Sequence, residues 1–349
     1  MTITVHTGHP YPVHIGPGLL ARAGGLAREI CGCRKVCVVS DSNVAPLYLQ
    51  TAVESFGAAG FEVCSFVFPA GETSKRLETV AAIYEKLAAE SFTRGDLLAA
   101  LGGGVTGDIT GFAAATWMRG IDFIQLPTSL VAQVDSSVGG KTGVDIPVGK
   151  NLVGAFHQPR LVVADTDTLS TLTPEYFTDG MGEVIKHACI KDAALFETLA
   201  DPAAMSPKNR ADIVARNIDI KRRVVEADER ESGERKLLNF GHTVGHSLES
   251  YYHYQGISHG CGVAVGMITV TRAAEKAGLT PPGTADKIGK VLRAYGLPES
   301  DPAPMKELLP LMLRDKKREG DTLDLVILKK IGEAAVHPLP LEKLEKFWL

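Results

Sequence analysis

The run Asp135-Ser136-Ser137-Val138-Gly139-Gly140-Lys141-Thr142-Gly143, followed by Lys150-Asn151, carries the densest reactive chemistry of the 349-residue chain. Glycines without side chains let backbone approach a ligand closely. The hydroxyls, carboxylate, amide and ammonium groups around them suit a small, oxygen-rich, anionic substrate such as a sugar phosphate. A solvated loop is the plain alternative for a run rich in glycine, serine and lysine. Matching partners elsewhere in the chain argue against it.

One such partner is Gly102-Gly103-Gly104-Val105-Thr106-Gly107-Asp108, which closes a predicted strand and opens the helical stretch Ile109–Thr116. A helix N-terminus presents unpaired amides to a phosphate. Gly102, Gly104 and Gly107 satisfy G-x-G-x-x-G, but not in the first βαβ unit, where a dinucleotide fingerprint belongs. A purely structural strand–helix turn explains the motif equally well when it stands alone. Asp108 adds weight, since a carboxylate beside a pyrophosphate needs another duty, such as bonding a ribose or nicotinamide group.

Four candidate metal ligands follow in the second half: Glu183, His242, His246 and His259. One carboxylate plus imidazoles, with a position left open, is the composition of a catalytic divalent-metal centre. Spacing alone pairs His242 with His246 on one helical face. A zincin would carry Glu directly after the first histidine; Thr243 stands there, which argues against a metalloprotease. A satisfied structural role is the ordinary explanation of any single histidine, but Gly241, Gly245 and Gly260 would clear space around these imidazoles. Lys186 lies one helical turn from Glu183, and Lys221, Arg235 and Lys316-Lys317 sit on predicted helices. Surface ion pairs are their default use. A substrate with several negative charges would engage several of them, Arg being suited to grip a carboxylate in two places.

The elements that must position these residues differ between the two halves. Over residues 1–172, β-rich runs alternate with helical patterns, the mark of α/β layering. Strands are expected at Lys35–Ser40, Phe61–Phe68, Asp96–Leu101, Ile121–Leu126 and Leu161–Asp165. Helices are expected at Val44–Ala59 and at Lys75–Glu90, where Leu77, Val80, Ala81, Tyr84 and Leu87 repeat at helical spacing. Ile3–Val5 and Tyr11–Ile15 read as a hairpin or sheet edge. Thr173-Pro174-Glu175 reads as an N-cap, a first-turn proline and a first-turn acid. From there to residue 349 the pattern is helical, apart from the strand-like Thr322–Leu328.

Composition sets outer bounds. An apolar fraction of 45% and a charged fraction of 22% are ordinary for a globular protein, and the length allows two domains. A net charge of −4 offers no basic field for nucleic acid. Met1 to Gly16 shows no charged n-region or apolar h-region, so no secretory signal is expected, and no run nears the ~18 apolar residues of a membrane span. A soluble, cytoplasmic protein is the expectation. The six cysteines include no Cys-x-x-Cys pair. Cys37 falls in an apolar strand, where it acts as a small hydrophobe. Cys64, Cys189 and Cys261 read as free thiols of a reducing compartment, and no cysteine metal or redox centre is expected around Cys31, Cys33 and Cys37.

Taken together, GGGVTGD at 102–108, DSSVGGKTG at 135–143, GKN at 149–151, EVIK at 183–186 and LNFGHTVGH at 238–246 resemble the 3-dehydroquinate synthase family, the sugar phosphate cyclases of the shikimate pathway. The resemblance runs from Gly71-Glu72 to Asp315-Lys316-Lys317. It implies a Rossmann-like, parallel-sheet NAD-binding domain over 1–172, a mostly α-helical metal- and substrate-binding domain over 173–349, and a homodimer. Glu183, His242 and His259 would be the ligands of zinc or cobalt. His246 would face the substrate phosphate and relay a proton, contrary to the pairing that spacing suggests. NAD would be held by Asp41, Glu72, Lys75, the loop Gly104, Val105, Thr106, Gly107 and Asp108, with Thr128, Ser129, Lys141, Lys150 and the segment Thr168, Leu169, Ser170 and Thr171. Lys141, Asn151, Asn239 and Lys186 would contact substrate, and Lys221 and Arg235 would hold its carboxylate. Asp135 would orient a substrate hydroxyl or its water. Arg119 would reach the phosphate in the neighbouring subunit's site.

The implied substrate is 3-deoxy-D-arabino-heptulosonate 7-phosphate. Transient oxidation by NAD would acidify a neighbouring C–H, phosphate would leave with its own oxygens taking that proton, and hydride return, ring opening and aldol closure would give 3-dehydroquinate. Three positions depart from the family pattern: Cys261 where Glu is common, Asp145 where Asn is usual, and Gly182 where Ala is common. The Cys261 change would bear on the support of His259. Rival readings are cyclases of sedoheptulose 7-phosphate or glucose 6-phosphate, iron-type alcohol dehydrogenases, and a non-catalytic NAD or metal sensor. Retention of both Lys221 and Arg235 favours a carboxylate-bearing substrate.

Overall fold

The computed structural model describes residues 1–231, 233–313, 318–319 and 321–348. Lys316 and Lys317 lie outside the described residues. The chain divides into two compact units, Met1–Leu172 with Arg210–Glu229, and Thr173–Asn209 with Arg230–Leu349.

The first unit holds strands β1 (Thr2–Val5), β2 (Tyr11–Gly16), β3 (Lys35–Asp41), β4 (Glu62–Phe68), β5 (Leu97–Gly102), β6 (Asp122–Pro127), β7 (Lys141–Ile146), β8 (Gly149–Phe156) and β9 (Val162–Asp165). Its helices are α1 (Ala23–Ile30), α2 (Ala45–Ala58), α3 (Leu77–Ala89) and α4 (Gly104–Thr116). Seven strands form one sheet in the order β1-β2-β9-β6-β5-β3-β4. Its interior pairs, β4-β3-β5-β6-β9-β2, are parallel, and only β1 on β2 is antiparallel. Period-two alternation sorts the apolar residues to the two faces. Val36, Val38, Leu97, Ala99 and Leu101 join one core, while Cys37, Val39 and Leu98 join the other with Ile109 and Phe112 of α4. Strands buried on both faces read as unbroken apolar runs, which is why Leu97–Gly102 is fully buried.

The strand order explains an apparent misplacement. The glycine run follows β5, not the first strand of the unit. Yet β5 pairs on the opposite side of β3 from β4. The order reverses there, so the ends of β3 and β5 form the topological switch point where α/β sheets bind ligands.

Two sequence expectations are revised in this unit. Lys141–Gly143, in the run whose glycines were expected to let backbone approach a ligand, begins β7, paired with β8 in an antiparallel hairpin. Gly143 faces Gly154, and a Cβ on Gly154 would come 2.2 Å from the Thr142 carbonyl oxygen. Gly139 and Gly140 take φ values of 95° and 65°, forming the turn into β7. These glycines therefore serve the turn and the hairpin instead of a ligand's approach. The sulfur chemistry also differs, for Cys31 and Cys33 are joined as a disulfide. Cys37, Cys64, Cys189 and Cys261 are free thiols.

Downstream lie α5 (Pro174–Lys191), α6 (Ala193–Thr198), α7 (Arg210–Ala227), α8 (His242–Tyr251), α9 (His259–Lys276), α10 (Thr284–Ala294), α11 (Met305–Met312) and α12 (Leu344–Trp348). Thr173 caps α5, its side chain accepting from the Tyr176 amide. Although α7 falls in the helical half of the sequence, it groups with the first unit. The remaining helices belong to the second unit, with a small antiparallel sheet of β10 (Arg318–Glu319), β11 (Thr322–Lys330) and β12 (Glu333–Pro340). Among the described residues no helix is long and apolar enough to cross a membrane.

Candidate functional site

In the second unit, Glu183 of α5, His242 of α8 and His259 of α9 bring one ligand atom each to within 4.8 Å of one another. The glycines beside them explain how three helices meet so closely. A Cβ on Gly182 would lie 2.7 Å from the Gly260 carbonyl oxygen, and one on Gly260 only 1.9 Å from that of Asp179. A Cβ on Gly266 would stand 1.9 Å from the Gly241 oxygen, and one on Gly245 3.0 Å from the Gly262 carbonyl carbon. The expectation that these glycines clear space around imidazoles is thus revised: they let α5, α8 and α9 touch backbone to backbone. Asp179 also accepts the Gly260 amide at 2.6 Å, tying α5 to the first turn of α9.

Glu183 is fully buried. The Nε2 atoms of His259 and His242 stand 3.3 and 3.5 Å from its Oε1, and Lys186 pairs with its Oε2. Neither carboxylate oxygen makes a hydrogen bond of good geometry, a costly arrangement for a buried charge. The opposite ring nitrogens are engaged: His242 Nδ1 lies 3.2 Å from the Phe240 carbonyl oxygen, and His259 Nδ1 lies 2.8 Å from Glu249 Oε1. Carbonyl and carboxylate partners on the far nitrogen are the usual support of metal-bound imidazoles. Burial alone would lower the His259 pKa, but Glu183 and Glu249 outweigh it and push it up to about 10. The position demands a positive charge, and one carboxylate with two imidazole nitrogens fits a divalent ion with an open coordination position.

His246 stands beside this group, its ring centroid 5.2 Å from that of His242 and 6.0 Å from that of His259. With Glu249 and His259 it forms a second possible donor group. Arg235 is buried in the helical turn Glu234–Asn239, and Asn239 Nδ2 donates to Glu231 Oε1 at 3.0 Å.

The first unit gathers most of the expected nucleotide-binding residues at its switch point. Asp41 ends β3, and its Oδ2 accepts from Thr106 Oγ1 at 3.2 Å. Gly104 to Asp108 form the first turn of α4, with Gly103 at its N-cap. A Cβ on Gly102 would fall 2.4 Å from Thr106 Oγ1 and 2.7 Å from its Cβ, which holds that position to glycine, while one on Gly107 would meet only the movable end of Gln125, at 2.7 Å from Oε1. Buried Lys75 Nζ pairs with Asp108 Oδ2 at 2.6 Å and donates to Asn151 Oδ1 at 2.6 Å. Burial opposes the ammonium charge, but Asp108, Glu72 and Asp145 override it and raise the Lys75 pKa. Lys150 pairs with Glu72 at 3.2 Å. Asp145 accepts the Asn151 amide at 2.8 Å and holds Asn151 at a φ of 52°.

Other expected residues have structural partners. The Thr128 amide donates to the Gly102 carbonyl at 2.9 Å, and Ser129 Oγ accepts from the Ala132 amide at 3.3 Å. Thr168 is buried, bonding the Asp165 carbonyl oxygen at 2.7 Å and receiving Gln133 Nε2 at 3.1 Å. Thr171 meets the Tyr48 hydroxyl at 2.6 Å, Ser170 receives Arg210 at 3.0 Å, and Leu169 is in the core. Asp135 lies in a π-helical turn, Ala132–Ser136, and pairs with Lys221 of α7. An internal carboxylate thus occupies the cation expected to meet a substrate carboxylate. Lys141 is exposed at the start of β7. Arg119 is exposed in a turn where Met118 and Arg119 both take positive φ, 49° and 70°.

Glu249, Glu231 and Asp179 were not among the expected site residues. For Glu249 a signal exists, since it follows His242 by seven residues and His246 by three on α8 and so shares their face. Nothing in the sequence pattern points to Glu231 or Asp179.

The chain matches two family models, described as 3-dehydroquinate synthase N-terminal over residues 65–179 and 3-dehydroquinate synthase C-terminal over residues 180–318. A 3-dehydroquinate synthase of Streptococcus suis is 46% identical over 352 residues, covering 99% of each chain. One of Streptococcus sanguinis is 44% identical, covering 97% of each. Among solved structures, 2-deoxy-scyllo-inosose synthase complexed with carbaglucose-6-phosphate, NAD+ and Co2+ matches with a TM-score of 0.89 and 28% identity, over 99% of this chain and 98% of that one. The 2-epi-5-epi-valiolone synthase of Streptomyces hygroscopicus with NAD+ and Zn2+ matches with a TM-score of 0.87 and 26% identity, over 97% and 95%.

Proposed function

We propose residue roles for this reaction from one premise: the chain belongs to the 3-dehydroquinate synthase family. Its reaction is the conversion of 3-deoxy-D-arabino-heptulosonate 7-phosphate to 3-dehydroquinate and phosphate, with NAD and zinc or cobalt as cofactors. When bound, NAD takes and returns a hydride, and the metal polarises the hydroxyl at the carbon being oxidised.

The observation that carries the reading is the buried Glu183 carboxylate facing two imidazole Nε2 atoms whose far nitrogens are already engaged. Glu183, His242 and His259 hold the metal. His246 moves a proton between its ring nitrogen and the substrate phosphate. Lys186, fixed by its ion pair to Glu183, donates to a substrate hydroxyl, with Lys141, Asn151 and Asn239 as further contacts. Lys221 and Arg235 bind the carboxylate. Asp135 holds the Lys221 ammonium until substrate arrives and then orients a substrate hydroxyl or its water. Asp41, Glu72, Lys75, the 104–108 loop, Thr128, Ser129, Lys141, Lys150 and the 168–171 segment would hold NAD, the free amides opening α4 being suited to its phosphates. The NAD residues all belong to Met1–Leu172 and the metal residues to 173–349, with Lys221 on the Arg210–Glu229 segment that groups with the first unit.

The working form is a homodimer in which Arg119 reaches the neighbouring subunit's phosphate site. Its support is the strained, exposed turn: two successive residues with positive φ are a cost borne where a side chain must be presented. A biosynthetic step that draws on cellular NAD belongs in the cytoplasm.

The test is phosphate release from 3-deoxy-D-arabino-heptulosonate 7-phosphate with catalytic NAD+ and added Zn2+ or Co2+, with and without EDTA. Metal-dependent release with 3-dehydroquinate formed and no net NADH is expected. No release from this substrate but turnover of sedoheptulose 7-phosphate would assign the chain to a rival cyclase instead.

A further inference from the structure

We propose that Glu249 is the positioning residue of the metal centre, holding the His259 ring with its Nδ1 proton fixed and its Nε2 lone pair aimed at the ion. This rests on the metal-site reading above. An ionised carboxylate only accepts hydrogen bonds, so the 2.8 Å contact of Glu249 Oε1 with His259 Nδ1 places the ring proton on Nδ1. Nε2, the atom facing Glu183, is then the nitrogen that gives up its proton and offers its lone pair when the ion binds.

The position of His259 shows why it needs this hold. It is the first residue of α9, and its side chain is 37% exposed against 11% for His242. Packing therefore restrains the His242 ring, for which a backbone carbonyl suffices, but leaves the His259 ring freer to turn. Glu249 is itself buried, where a carboxylate is costly unless bonded. It also stands on α8, the helix that supplies His242, so one helix delivers a ligand and orients the next. Glu249 could alternatively be a ligand with His246 and His259. In that alternative Glu249 would spend its oxygen on the ion instead of on His259 Nδ1, from which it now stands at hydrogen-bond distance, 2.8 Å.

The experiment is a Co2+ titration of the metal-free full-length protein, read by ligand-field absorption and chelator competition. Wild type should bind one ion per chain. Glu249→Ala should keep that stoichiometry, lose affinity about 10- to 100-fold and shift the absorption bands. Glu249→Gln, which keeps an acceptor oxygen without the charge, should recover part of the affinity and the wild-type band positions. Affinity within about twofold of wild type in Glu249→Ala would overturn the inference. So would a loss as complete as that of His242→Ala, since that is the behaviour of a ligand. If His242→Ala and Glu183→Gln bind Co2+ as wild type does, the metal-site reading itself fails. If those two lose the ion and Glu249→Ala does not, only the positioning role fails. Unchanged melting of Glu249→Gln in EDTA confirms that the comparison is between folded proteins.

Discussion

At the scale of single residues, the metal reading turns on Glu183. Its carboxylate has no hydrogen bond of good geometry, and two imidazole nitrogens converge on one of its oxygens. His242→Ala should therefore remove metal and activity together; full metal content in that variant, by elemental analysis after dialysis, would break the ligand assignment. Lys221 carries a different prediction. A charge-assisted hydrogen bond is worth about 1.5–3 kcal/mol, so Lys221→Ala should raise KM for the carboxylate-bearing substrate by about 10- to 100-fold, and steady-state kinetics would show it. An unchanged KM would mean that the ammonium serves only Asp135. Lys75 gives the pH dependence. Its pKa in the fold lies above the ordinary lysine value, so the stability it contributes is complete below about pH 10.4 and declines as pH rises through the folded pKa. Removing it strands the Asp108 carboxylate, at a cost of about 3 kcal/mol. Urea titrations of Lys75→Met should show that cost unchanged from neutral pH to about pH 10, shrinking only above it as the wild-type ammonium deprotonates.

At the scale of elements, glycine decides whether three helices can share one ion. Gly182 stands where the family pattern commonly has alanine, yet a Cβ there would lie 2.7 Å from the Gly260 carbonyl oxygen. Gly182→Ala should destabilise the protein by about 1–3 kcal/mol by forcing α5 from α9, and weaken metal binding because Glu183 moves with α5. Gly260→Ala should cost more, its Cβ meeting the Asp179 oxygen at 1.9 Å; thermal melts in EDTA and Co2+ titrations would rank the two. This is also where the sequence was most and least legible. Continuous apolar runs exposed β3 and β5, and the Thr173-Pro174 cap marked the start of α5, because local propensity and burial agree there. The residues that gather at the candidate metal site were legible as types, since one acid and several histidines flanked by glycines stand out in the sequence. The purpose of those glycines was not, because backbone contact between helices distant in sequence leaves no local pattern. The glycines around Lys141–Gly143 were read as room for a ligand for a related reason: their service to a hairpin shows only once the partner strand Gly149–Phe156 is paired with them. Glu249 hid behind an ordinary helical face, its role set by a ring on another helix.

At the scale of the whole molecule, the open question is whether one chain makes a complete active site. Arg119 is exposed, and it sits in a turn held at positive φ beside Met118, which is 42% exposed. A solvated arginine gains nothing from such backbone strain, whereas an arginine presented to a second copy does. Subunit mixing separates the possibilities. Arg119→Ala would lack the arginine but keep its metal ligands, and His242→Ala would lack a ligand but keep Arg119. Each homodimer should be nearly inactive. If Arg119 crosses, the site with intact ligands in a mixed dimer borrows it from the partner, while the other site lacks metal. Unfolding and refolding an equimolar mixture should then restore activity to about a quarter of wild type, because random pairing gives half mixed dimers with one working site each. If Arg119 served its own subunit, no pairing would unite it with an intact metal site, and the mixture would stay as inactive as its parents. Mixing wild type with a chain that carries both substitutions gives the complementary result, about a quarter of wild-type activity if Arg119 crosses to the partner's site and about half if it serves its own.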